Sequence, residues 1–148
     1  MSTYTQIIYQ IVFGTKNRQH TLTKNNRDEL YKYIGGLLEN KKCHLYRIGG
    51  IEDHIRILTH LHPSISLASL VKDIKLASTE HIKNNNLFVN FNGWQEGYGA
   101  FTYSIREKDI LIEYVKNQEE HHRKKSFREE YIEMLMEHDI EFEERYLL

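Results

Sequence analysis

The order in which hydrophobic periods succeed one another leaves this chain few folds to choose from. From Tyr4 to Phe13 the residues alternate, with Ile7, Tyr9, Ile11 and Phe13 on one side and Gln6, Ile8, Gln10 and Val12 on the other, the period of a strand. After a polar, basic connection (Lys16, Asn17, Arg18, Gln19), Thr23 stands where a helix cap belongs, and Leu30, Tyr31, Ile34, Leu37 and Leu38 form one apolar stripe. Two short extended runs, Cys43 to Ile48 and His54 to Leu61, are separated by Gly49-Gly50 and two acids and read as a hairpin. Pro63 and Ser64 punctuate. Leu67, Leu70, Val71, Ile74 and Ala77 then predict a second amphipathic helix to about Lys83, ended by Asn84-Asn85-Asn86. A Gly- and aromatic-rich stretch, 91 to 100, leads into a last strand from Phe101 to Ile105. The succession β-α-β-β-α-β is the ferredoxin-like motif, an antiparallel sheet with two helices on one face, so the expected class is α+β.

Additional helices follow, one from Lys108 to about His122 and one from Ser126, where Ser126 and Glu129 have capping-box spacing and Phe127, Tyr131, Met134 and Leu135 give a buried side. With 148 residues, the chain suits one domain, 1–148, with an acidic helical C-terminal segment from about 126. Hydrophobic residues at 40% and charged residues at 28% exclude a disordered chain. Cys43 is the single cysteine, so no intramolecular disulfide forms and a Cys-rich zinc knuckle is excluded; a reducing cytoplasm is the expected location. The N-terminal stretch lacks the features of a signal peptide and is too short and polar to span a bilayer, so no membrane association is expected.

The formal net charge of -1 conceals an uneven distribution. Residues 1–128 carry 19 basic and 13 acidic side chains, whereas the last twenty hold eight acids and one arginine. A mildly basic body suits a short folded nucleic-acid strand, and the acidic tail is expected to lie away from it.

Two constellations carry chemistry. In Asp53-His54-Ile55-Arg56-Ile57-Leu58-Thr59-His60-Leu61-His62, residues two apart share a strand face. Ile55, Ile57 and Leu61 suit the core, and His54, Arg56, Leu58, His60 and His62 fall on the opposite, more open face. Imidazoles there suit a divalent metal and the guanidinium suits a phosphate. The second lies on the helix after the last strand, where Tyr114 and Gln118 are i and i+4 and project together, with His121 and His122 one turn further. A phenol can attack phosphorus, and an amide oxygen can complete a metal's coordination.

Together these residues resemble the single-tyrosine HUH transposases of small bacterial insertion sequences and their REP-associated relatives. The resemblance runs over nearly the whole chain: Thr15-Lys16-Asn17-Arg18, the Asp53-His54-Ile55 strand, Trp94 through Phe101, and Tyr114 through Gln118 with Glu119-Glu120-His121-His122. It implies that Tyr114 is the nucleophile, that His54 and Gln118 hold magnesium or manganese, that the substrate is hairpin single-stranded DNA cleaved through a 5'-phosphotyrosine, and that the protein is a homodimer.

The sequence departs from the family at one position. The second histidine of the pair should stand at 56, where this chain has Arg56, which is never a metal ligand. Three consequences stay open: a weaker ion with an arginine clamp, substitution by His60 or His62, or loss of cleavage with hairpin binding retained. Phosphate contacts are expected from Lys16, Arg18, Lys72, Lys75 and the Arg123-Lys124-Lys125 cluster, and base stacking from Trp94 or Tyr98. A metal-binding module or metal-dependent hydrolase without nucleic acid is the reading from another class.

Overall fold

The computed structural model describes residues 2–121 and 124–147. Its elements are β1 (Ile8–Gly14), α1 (Lys24–Asn40), β2 (His44–Ile51), β3 (His54–His60), α2 (Leu67–Asn85), β4 (Gly99–Tyr103), α3 (Lys108–Lys116), α4 (Gln118–His121) and α5 (Phe127–Glu137). The four strands form one sheet in the order β2-β3-β1-β4, with every neighbouring pair antiparallel. This is the ferredoxin-like arrangement that the succession of periods predicts, and it places β1 and β3 at the centre.

The period-two pattern divides the sheet between two cores. Ile11 and Phe13 of β1 and Ile55 and Ile57 of β3 face α1 and α2, meeting Leu30, Ile34, Leu70 and Ile74. The alternate residues face the C-terminal helices. Val12 meets Phe101, Phe127, Met134 and Leu135, and Ile8 and Leu58 meet Leu111 and Val115. That second face is where the sequence predicts an open surface around His54 and Arg56. It is closed instead, because α3, α4 and α5 fold back across it and bury both residues completely. α3 and α5 each have an apolar stripe that needs a partner, and the second sheet face supplies one.

Local details differ from expectation in instructive ways. Thr23 occupies the cap position of α1 without a side-chain hydrogen bond, whereas Ser66 and Ser126 cap α2 and α5 by accepting from Ser69 and Glu129 backbone N–H. The helix expected from Lys108 to about His122 breaks at Asn117 (φ -97°, ψ 30°). There the side-chain amide of Gln118 donates to the Tyr114 carbonyl at 3.1 Å, taking the acceptor that a continuing helix would offer to the Gln118 backbone N–H. The Gly49-Gly50 pair, expected to connect two strands, lies inside β2. A Cβ at Gly49 would sit 2.0 Å from the Val115 carbonyl oxygen, so only glycine lets the backbone of α3 rest on the strand. The consequence is positional: Tyr114, beside Val115, is lowered onto β3.

Candidate active site

Four residues that the sequence singles out, from β3, α3 and α4, converge at one point. His54 and Arg56 are two apart on β3 and share the face that α3 and α4 cover, while Tyr114 and Gln118 descend from those helices. The His54 ring places Nε2 3.0 Å from Gln118 Oε1 and Nδ1 2.9 Å from Asp53 Oδ1. It stacks flat on Phe127 of α5, with centroids 4.1 Å apart and planes 5° from parallel. Burial holds the imidazole below its ordinary pKa, with the Arg56 charge acting in the same direction and Asp53 against it.

Arg56 is the largest fully buried side chain among the described residues. Its Nε donates to Gln118 Oε1 at 2.8 Å, and Nη1 donates to Gln10 Oε1 at 2.8 Å and to Met134 Sδ at 3.0 Å. Nη2 reaches Glu130 Oε2 at 3.2 Å, and the guanidinium carbon lies 5.4 Å from the centre of the Tyr114 ring. The Tyr114 hydroxyl donates to the other oxygen of that carboxylate, Glu130 Oε1, at 2.8 Å. One buried carboxylate therefore bridges the phenol and the guanidinium. Burial is the largest influence on Tyr114 and pushes its pKa up to about 12; Arg56 opposes the shift and Glu130 adds to it.

Gln10 and Glu130 belong to this site and were not singled out from the sequence. Gln10 follows from strand parity, since it shares the Val12 face and its amide also donates to the Tyr103 hydroxyl at 3.2 Å. Glu130 left a clearer trace: it stands three residues after Phe127 and four before Met134, so it lies on the apolar stripe of α5. A carboxylate on a stripe that becomes buried needs a cation beneath it. Its presence also corrects the expectation that the acidic tail lies away from the basic body, because Glu130 is the tail's contact with Arg56.

Magnesium or manganese fits this donor set poorly. Histidine and glutamine supply two donors, the third position carries a permanent cation, Gln118 Oε1 is already the acceptor for Arg56 Nε–H, and the Glu130 carboxylate is engaged by Arg56 and Tyr114. Such hard ions are ordinarily held by carboxylates, and among the described residues no group of three histidine, cysteine or acidic side chains is placed to hold a metal. A divalent ion about 4 Å from a single positive charge is repelled by about 8 kcal/mol at an effective dielectric of about 20.

The remaining candidates lie elsewhere. His60 sits at the far end of β3, where Nδ1 accepts from the Ile7 backbone N–H at 3.2 Å, and His62 lies within hydrogen-bonding distance of the Ser64 hydroxyl at 2.7 Å; neither joins the site. His122 and Arg123 fall outside the described residues, as does the side chain of His121. Lys16 and Lys72 are exposed and Arg18 is half-buried. Lys75 does not extend into solvent: its ammonium donates to the carbonyls of Gln95, Glu96 and Gly97 at 2.8, 3.1 and 2.8 Å and fixes that loop. Trp94 is core, packed edge-on against Phe13 at 5.0 Å with its Nε1–H on Ser78 Oγ, while Tyr98 is exposed beside Lys75.

With this geometry in view, comparison with known proteins is decisive on one point. The model of the family described as "Transposase IS200 like" matches residues 3–118, which take in the sheet, α3 with Tyr114, and Gln118 at the start of α4. The chain belongs to the IS200-like transposase family. Its fold is shared by a crystallised candidate transposase from Deinococcus radiodurans R1, with 21% identity over 80% of this chain and 95% of the other and a TM-score of 0.59. It is shared also by a REP-associated tyrosine transposase bound to a REP hairpin, with 15% identity over 78% of this chain and 70% of the other and a TM-score of 0.55. No match to a curated protein was found. The family match ends at Gln118, so α5 and its Glu130 lie beyond the matched region. No helix among its described residues is long and apolar enough to cross a membrane.

Proposed function

We propose that this transposase binds hairpin-forming single-stranded DNA and cleaves and rejoins it through a covalent bond between Tyr114 and a 5' phosphate. The observation that carries the reading is the phenol itself: Tyr114 Oη holds its proton against Glu130 Oε1 at 2.8 Å with a guanidinium beside its ring. The residues divide the work. Glu130 Oε1 accepts the proton as Oη attacks phosphorus; the Oη–P bond forms, the P–O3' bond breaks, and the proton ends on the 3' oxygen. Gln118 and His54 hold the arginine and the Tyr114 segment in place. The bond energy is kept in the covalent intermediate, so rejoining needs no nucleotide.

A pocket of about 420 Å³ between α3 and α5, bordered by Gln10, Tyr103, Tyr114, Lys124 and Glu130, supports access for a strand. The hairpin is proposed from the resemblance and from the likeness to a transposase bound to a REP hairpin. A homodimer is proposed from the resemblance alone, and sedimentation in solution checks it. Incubating the protein with hairpin DNA and running a denaturing gel tests the chemistry. A covalent adduct that disappears in Tyr114→Phe is expected. Hairpin binding with no adduct, and with cleavage appearing in Arg56→His, would identify a DNA-binding relative disabled at Arg56 instead.

A further inference from the structure

Replacing a metal-binding histidine with arginine exchanges an ion that has to be captured for a charge that is covalently attached. We propose that Arg56 is the phosphate-holding cation of this transposase: its guanidinium takes a non-bridging oxygen of the scissile phosphate at the place now filled by Glu130 Oε2, with no divalent ion in the site. The inference rests on Tyr114 being the nucleophile.

Three observations carry it. First, the guanidinium is oriented without the carboxylate. Amide oxygens of Gln118 and Gln10 hold Nε and Nη1 at 2.8 Å each, while the bond from Nη2 to Glu130 is longer, at 3.2 Å. The fork therefore stays aimed when Glu130 yields its place. Second, the carboxylate marks a position fitted to an oxyanion, with one oxygen on the guanidinium and the other on the phenol. A phosphate there brings phosphorus within reach of Tyr114 Oη, and a planar guanidinium suits two oxygens of one phosphate. Oε2 gives up Nη2 while Oε1 keeps the phenolic proton, so the bonds made and broken are those already stated. Third, Gln118 Oε1, the oxygen an ion would use, is the acceptor that anchors Arg56. Gln118 thus positions the arginine, and His54 packs beside it against Phe127.

The pocket between α3 and α5 is lined by Tyr114, Lys124 and Glu130, so it reaches the carboxylate that covers the buried Arg56. A phosphate that displaces Glu130 Oε2 from Nη2 meets a cation that is charged at every accessible pH.

The experiment compares adduct formation on hairpin DNA in EDTA and in manganese, together with manganese binding followed by electron paramagnetic resonance. The wild-type protein is expected to form adduct equally in both and to leave the manganese signal that of the free ion. Arg56→His is expected to take up manganese, to form no adduct in EDTA and to regain it with the ion. Arg56→Lys keeps the charge without the fork and is expected to lose about a hundredfold in rate with no rescue by manganese. Should Arg56→His not fold, as a thermal melt would show, the wild-type and lysine arms decide alone. A wild-type adduct that requires manganese, or stoichiometric manganese uptake by the wild type, overturns the inference and leaves Tyr114 as nucleophile. No adduct in either condition overturns both.

Discussion

A phenol attacks phosphorus only as it loses its proton, and Tyr114 is half-buried, with a pKa pushed up to about 12 and a carboxylate already in contact. That contact makes Glu130 the residue to test first. Glu130→Gln retains the shape and a hydrogen bond but cannot accept the proton, so adduct formation is expected to fall about a hundredfold or more. It also leaves the buried Arg56 without its counter-charge, and removal of one member of a buried pair costs about 3–5 kcal/mol; urea denaturation measures that loss separately from the gel. His54 makes a second prediction. Its pKa is lowered in the folded protein, so the unfolded chain binds more protons as pH falls below the ordinary value of 6.5. Stability is therefore full above that value and declines as pH drops toward the folded pKa. Urea midpoints taken between about pH 7.5 and 5.5 should fall more steeply for the wild type than for His54→Asn, and parallel curves would count against this account. At this scale His54, Arg56, Tyr114 and Gln118 were legible because strand and helix periods place them. Their partners Gln10 and Glu130 were not, because only the packing of α5 on the sheet brings the two together.

Among the elements, α3 decides whether the site assembles. It rests on β2 at Gly49, where an added Cβ would lie 2.0 Å from the Val115 carbonyl oxygen and 3.0 Å from its carbonyl carbon, contacts that a flexible side chain cannot relieve. Gly49→Ala is expected to destabilise by about 1–3 kcal/mol and to lift Tyr114 and Gln118 from Arg56 together. Loss of adduct with hairpin binding retained is the expected outcome; unchanged cleavage would show that the helix is not seated there. The short α4 has its own anchor, since the buried Arg27 of α1 pairs with Glu119 at 2.7 Å and donates to the Leu22 carbonyl at 2.8 Å. The first strands and helices were legible within a few residues, because each has an apolar face of one period. The break at Asn117 was not, because the side chain of Gln118 competes for a backbone carbonyl and leaves the hydrophobic pattern continuous.

For the whole molecule, the C-terminal segment is a structural layer as well as an acidic one. Phe127, Met134 and Leu135 close over Val12 and Phe101, and Glu130 balances Arg56. Deleting residues 127–148 uncovers this cluster and a buried charge, so the truncated chain is expected to bind a hydrophobic dye and melt at lower temperature or without a cooperative transition; a melt matching the full chain would mean that the first core is sufficient. Net charge gave no hint of this, because a sum cannot tell which acid is exposed and which is buried.

The alternation along β3 also separates two histories of change. Ile55 and Ile57 answer to α1 and α2, while His54, Arg56 and Leu58 answer to the C-terminal helices. A substitution at 56 therefore leaves the first core untouched and asks for accommodation only at 10, 118, 130 and 134, the positions that touch it. In such an arrangement the chemistry of the central strand can be rewritten from one side while the other preserves the fold, and the residues at those positions are the ones whose identities should shift together with 56 wherever relatives carry histidine there.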